Sequence, residues 1–131
     1  MSKANYRDMT GPNGLLANRQ EFTGNSLRAE WTSMRPAAGR LDDAELDRLE
    51  HDWLLSVKLD KRMYVVYSYA TPIAWGIGDD VAYCTPQRFS VTTSKGQGYV
   101  RAWINHGRDT VSQDYGWGYD AYRAERIRLG I

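Results

Sequence analysis

Two histidines, one cysteine and the adjacent aspartates of a glycine-containing turn are the residues whose types could carry metal or covalent chemistry: His51, His106, Cys84, Asp79 and Asp80. A metal site draws its ligands from recurring short spacings, and no C-x-x-C or H-x-x-x-H pair occurs here. The histidines therefore read as packing or solvated side chains, and no metal ligand is expected. A Cys84–His106 nucleophile pair can be drawn. Cys84, however, lies between Tyr83 and Thr85 in a strand-like stretch, where a free thiol behaves as a small buried hydrophobe. Asp79 and Asp80 follow Gly76-Ile77-Gly78, a turn signal, and adjacent side chains in a turn diverge. They read as a hairpin tip. No catalytic residue and no cofactor is expected, and the balance leans away from an enzyme.

Binding chemistry has more to work with. Residues 88–98, RFSVTTSKGQG, gather Thr93, Ser94, Lys95 and Gln97 around two glycines. Hydroxyls, a lysine and accessible backbone amides are the parts of an anion cradle. The G-x-x-x-x-G-K-[ST] spacing of a nucleotide loop is absent. The stretch reads either as a plain turn or as a contact to phosphate or another anion. Lys95, Arg101 and Arg108 are interleaved with Tyr99 and Trp103, and Arg123 and Arg126 stand three residues apart further on. Basic residues among aromatics are what a nucleic-acid surface uses. Trp117, set between glycines in DYGWGYDAY, is either core or an exposed interface anchor. The candidate binding residues are thus Thr93, Ser94, Lys95, Gln97, Arg101, Arg108, Trp117, Arg123 and Arg126.

These residues need a scaffold, and its clearest piece is a helix over 42–57. Asp42 stands as N-cap with Glu45 three positions on, and Leu46, Leu49 and Trp53 form one apolar stripe. MYVVYSY (63–69) is β-branched and aromatic throughout, as a strand covered on both faces requires. Thr71-Pro72 interrupts, IAW (73–75) and VAYCT (81–85) follow as short strands, and RFSVTT (88–93) alternates as a fourth. The short connections demand an antiparallel meander. Residues 99–104 read as a further strand or as a helix opening at Ser94, whose capping chemistry favours the helix. DAYRAERIRLG (120–130) fits a terminal helix ended by Gly130. Residues 1–39 are polar, broken by GPNG and RPAAG, and read as a loosely structured docking arm held by Phe22 and Trp31.

The expected fold is therefore one α+β domain of 131 residues. A small antiparallel sheet at about 63–93 packs against the 42–57 helix and C-terminal helical segments. Nine Tyr and five Trp put amphipathic aromatics into the core. The net charge of +1 gives no overall pull on nucleic acid or membrane. Its distribution is uneven: 41–60 carries seven acidic and two basic groups, while 81–131 carries seven basic and four acidic. A lone cysteine excludes an internal disulfide and fits a reducing compartment. The opening MSKANYRDM has no apolar core of a signal peptide, and no apolar run reaches the roughly 18 residues of a membrane span. The expected location is the cytoplasm, with no membrane partner.

YVVYSYATPIAW (64–75) and CTPQRFSVTTSKGQ (84–97) together resemble a family of short uncharacterised proteins carried by actinobacterial phages and related mobile elements. Its members pair Y-V-V-x-S-Y-x-T-P-I-A-W with V-P-D-x-x-Y-S-V-T-T-S-[KR]-H-Q. Phe89 stands where that family tends to have Tyr, and Gly96 where it tends to have His. The resemblance implies a small phage-like accessory protein in a bacterial cytoplasm, and implies no reaction. The expected function is accordingly a non-enzymatic module binding a host or phage protein. Nucleic acid bound through the 94–108 loop and the C-terminal arginines is the alternative, and a small-molecule enzyme at the 94–97 turn is the third reading. Self-association through a sheet edge stays open.

Overall fold

The computed structural model describes residues 3–108. Its centre is β3 (Met63–Ser68), in which every residue is buried. The alternation of a strand sends Met63, Val65 and Tyr67 to one face, and Tyr64 and Val66 to the other. Both faces are apolar, so both need cover. β4 (Thr71–Ile77) pairs antiparallel with β3 after a two-residue turn whose first residue, Tyr69, has φ +55°. β5 (Tyr83–Cys84) pairs with β4 through Ala74 and Trp75.

The other side of β3 is filled from the N-terminal segment. β2 (Leu27–Thr32) runs antiparallel to all six residues of β3, and β1 (Phe22–Thr23) pairs with β2. The sheet is a five-stranded meander in the order β1-β2-β3-β4-β5. This corrects the expectation of little regular structure in 1–39 and of a sheet confined to 63–93. Leu27, Ala29 and Trp31 alternate with Arg28, Glu30 and Thr32, and the apolar set packs into one core. A short helix, α1 (Tyr6–Met9), closed by a reciprocal Asn5–Asp8 capping box, precedes them.

One face of the sheet is covered by α2 (Asp43–Leu59). Leu49 and Leu55 bury against Met63, Val65, Tyr67, Trp75 and Ile77, flanked by Leu46 and Trp53. Asp42 caps the helix, accepting the Glu45 amide at 2.9 Å. The helix runs two residues past the expected end and stops at Asp60, which takes the left-handed conformation at φ +54°.

The opposite face is covered by α3 (Val91–Trp103), with Val100 and Ile104 meeting Leu27, Tyr64, Val66 and Ile73. Here the fourth strand expected at 88–93 and the polar turn expected at 94–98 are both overturned. The helix begins four residues earlier than the Ser94 cap would place it, on Ser90. The Ser90 hydroxyl accepts the Thr93 amide at 3.2 Å. Alternation fails because Val91 points to solvent, 89% exposed, while Thr93 is buried and shares a hydrogen bond of 2.9 Å with Ser68. Tertiary packing overrides the β propensity of Val-Thr-Thr. Gly96 belongs in this helix for a steric reason: a Cβ there would sit 3.0 Å from a methyl of Leu27.

A β-bulge reconciles the two faces. Val66 opposes Ala74 while Tyr67 opposes Pro72, so Ile73 is the extra residue and joins Ala74 in the core under α3. Pro72, expected to interrupt the strand, instead lies inside β4 near its start, where its missing N–H is tolerated.

Replacing Ser90 by Ala removes the cap of α3 while leaving its apolar contacts intact. The variant is expected to lose about 1 kcal/mol of stability, read from the midpoint of urea unfolding. No change beyond error would mean that Ser90 does not set the helix start.

Candidate functional site

Four segments meet at one end of the sheet: α1, the β1–β2 turn at 24–26, the β3–β4 turn at 69–70 and the first turn of α3. Between them lies a cavity of about 280 Å³. Its floor is Met9 and Leu27, its walls include Tyr6 and Tyr69, and its rim carries Ser26 and Thr92. Tyr6 is held by a stack on Tyr99, ring centroids 4.5 Å apart, and by a 3.3 Å hydrogen bond shared between its hydroxyl and that of Ser26. The Lys95 ammonium lies 5.6 Å from the Tyr6 ring centroid, within cation–π range. Tyr69 is 62% exposed, and Val91 stands beside Thr92 on the solvent side of α3. The positive end of the α3 dipole opens at the same place.

The candidate residues divide sharply. Ser94 and Lys95 are exposed on α3, and of the two Lys95 lies beside the Tyr6 wall of this cavity. Thr93 and Gln97 are buried and serve the fold. The Gln97 amide donates to the carbonyls of Thr85 and Gln87, both at 3.0 Å, tying the 85–90 connection down onto α3. Arg101 is exposed but six residues beyond Lys95, about 120° around the helix, so the two do not share a face. Arg108 lies past the helix and is engaged: it donates to the Asp79 carboxylate at 2.6 Å and to the Ala17 carbonyl at 2.9 Å. Trp117, Arg123, Arg126 and the helix expected at 120–130 lie outside the described residues. Tyr6, Ser26, Tyr69 and Thr92 were not singled out from the sequence. The one local signal was an exposed tyrosine set between two dense strand patterns.

A second polar cluster sits between α2 and the sheet. The Asp52 carboxylate, buried, accepts the Trp75 indole N–H at 2.8 Å and the Arg48 guanidinium at 2.9 Å. Arg48 also covers the Tyr83 ring at 4.3 Å, and the Tyr83 hydroxyl donates to Glu45 at 2.8 Å. Burial and the Glu45 carboxylate raise the Tyr83 pKa. His51, also buried, has its Nε2 3.6 Å from Asp52. Burial lowers the His51 pKa, against the pull of Asp52 and with the push of Arg48. Asp52 with Trp75 and Arg48, and Glu45 with Tyr83, satisfy one another, so the cluster fastens α2 to β4 and β5.

Burial raises the Cys84 pKa, so its reactive thiolate is disfavoured. His106 lies exposed beyond α3 against Trp103. The buried Arg19 guanidinium donates to the carbonyls of Gly78 and Asp80, at 2.7 and 2.5 Å, which locks the 78–80 turn. Burial and the nearby Arg108 lower its pKa to about 10. Among the described residues no group of three or more His, Cys, Asp or Glu is placed to hold a metal ion. None of the helices among them is long and apolar enough to cross a membrane.

The profile of a protein family described as "Family of unknown function (DUF8033)" matches residues 12–117. No curated protein and no solved structure matches the chain.

Removing the Asp52 carboxylate leaves the buried Trp75 indole N–H without its acceptor and frees Arg48 from its ion pair. Asp52→Ala is expected to cost about 2–3 kcal/mol in urea unfolding, and a loss under about 1 kcal/mol would rule out this cluster as the fastening of α2. His51 gives a pH signature. Its folded pKa lies below the ordinary value of about 6.5, so the unfolded chain binds more protons as pH falls. The contribution is fully present above that value and is lost as pH drops below it toward the folded pKa. Wild-type stability should therefore fall from pH 7.5 to pH 5.5 by more than that of His51→Gln. Equal slopes would mean that His51 protonates alike in both states.

Proposed function

The chain belongs to the family of unknown function DUF8033, and from that premise we propose that it is a non-enzymatic binding module that docks a protein partner at the α1–Tyr69–α3 end of its sheet. The single observation carrying this reading is the concentration there of exposed and half-exposed aromatic and apolar side chains around a cavity. Tyr69 and Val91 are exposed to solvent, and Tyr6 and Tyr99 stack beneath Lys95. Tyrosines presenting a flat apolar body and a polar tip are efficient interface anchors. The scaffold behind them is rigid: β3 and the start of β4 are buried, and Tyr69 is held on the two-residue turn between them.

The provenance proposed is a phage-like accessory protein acting on a host or phage protein in a bacterial cytoplasm. It is supported by the resemblance at 64–75 and 84–97. The nucleic-acid reading draws less support, because Lys95 and Arg101 diverge around α3 and Arg108 is paired with Asp79. An enzyme at 94–97 draws less still, since Gly96 and Gln97 are packed inside the fold.

The test is affinity capture from the natural host with the wild-type chain and with a Tyr69→Ser, Val91→Asp double variant. Both positions are exposed, so each change is expected to stay within about 0.5 kcal/mol of wild-type stability. A partner retained by the wild type and released by the variant is the expected result. Equal retention by both would reject this surface as the docking site.

A further inference from the structure

The cavity is more than a dent under Tyr69, and its shape and charge select an occupant. An apolar cavity of about 150 Å³ is enough to hold benzene, and this one measures about 280 Å³. Met9 and Leu27 give it an apolar floor, and the two tyrosines give it aromatic walls. Those walls suit a flat ring, since aromatic pairs gain from offset or edge-on contact beyond the area they bury. None of the residues lining the cavity carries a formal charge. Asp8 does not line it, but lines a neighbouring hollow together with the basic Lys3 and Arg7. Lys95 is exposed, and its ammonium lies 5.6 Å from the centroid of the Tyr6 ring. The field at the mouth is therefore positive, and the start of α3 adds to it.

Resting on the docking reading above, we infer that this cavity takes the ring of a single aromatic side chain of the partner, with an acidic side chain adjacent to it. The ring enters between Tyr6 and Tyr69 over Leu27. The carboxylate stays outside, near Lys95. Ser26 and Thr92 on the rim supply hydroxyls for the partner's backbone.

The blocked dipeptide Ac-Phe-Glu-NH₂ is the probe, titrated into the full chain while backbone amide shifts are followed by NMR. Saturable shifts at Ser26, Leu27, Tyr69 and Thr92 are expected. Ac-Phe-Gln-NH₂, and the Lys95→Gln variant with the original probe, should each bind about threefold to fivefold more weakly, as loss of one exposed ion pair implies. Ac-Ala-Glu-NH₂ should give no saturable shifts. Thr92→Trp and Asn25→Trp, two exposed rim positions, should each block the cavity and abolish binding of the original probe. Absence of saturable shifts in the wild type overturns the inference, as does binding that survives both tryptophan variants or is indifferent to the glutamate. The two readings fail separately. Release of a partner by the Tyr69, Val91 double variant with no probe binding leaves the docking surface standing and removes the pocket. Probe binding alongside equal capture by both chains keeps the pocket and removes the docking surface.

Discussion

Every other element answers to the burial of β3 on both faces. A strand with Met63, Val65 and Tyr67 on one side and Tyr64 and Val66 on the other cannot lie at a surface. At about 25 cal/mol per Å² of apolar surface, leaving either side wet would forfeit several kcal/mol, comparable to the net stability of a whole domain. The chain must therefore supply a cover for each face. α2, arriving just before β3, covers one, and α3, arriving after β5, covers the other. β3 also needs a strand on each side, because buried backbone groups must be paired. The hairpin gives β4, and the N-terminal segment returns as β2.

The covers are joined to the sheet by a few polar contacts, each answering a group that burial would otherwise strand. Trp75 and Tyr83 face α2 and find Asp52 and Glu45 on it. Ser68, the last residue of β3, faces α3 and finds Thr93. Tyr64 and Trp31 reach the carbonyls of Gln20 and Arg19, at 2.7 and 2.8 Å, so the segment before β1 is fixed as well. Aromatics rich in hydroxyl and indole groups make a core that specifies its partners, since each ring carries one polar atom that must land on an acceptor.

Much of this was legible in the sequence, and the failures have physical causes. The helix at 42–57 and the two-sided strand at 63–69 are strong patterns, and both stand, the strand ending one residue earlier at Ser68. β2 was written just as plainly in Leu-Arg-Ala-Glu-Trp-Thr, six residues of clean alternation. It was masked by the glycines and prolines on either side, which made the whole of 1–39 read as an arm. α3 misleads more deeply. Its opening Val-Thr-Thr favours a strand and its two glycines disfavour a helix. What decides is nonlocal: Ser68 waiting for Thr93, and Leu27 filling the space that a side chain at 96 would need. Any side chain at that position would press on Leu27, which would have to give way by a few tenths of an ångström. The cavity was the least legible feature. Its floor, walls and rim come from α1, β2, the β3–β4 turn and α3, so no single window of sequence contains it.

Those same constraints bear on why the proposed docking surface lies at an end of the sheet and not along an edge. A sheet commonly recruits partners along an unpaired edge. Here both outer strands, β1 and β5, are only two residues long, and the strands inside them are guarded where pairing stops. The Trp31 amide of β2 donates to the Glu21 side chain at 2.9 Å. On β4, the Ile73 carbonyl accepts the Thr85 amide at 3.0 Å, Pro72 has no N–H to offer, and Thr71 accepts the Arg40 amide at 2.9 Å. Edge addition by an extended peptide would first have to break these contacts. The turns at the α1 end carry no such burden, and they bond to one another, the Tyr69 amide of one reaching the Ser26 carbonyl of the other at 2.8 Å. Their side chains are left free to differ without disturbing β3, which is the condition a recognition surface needs.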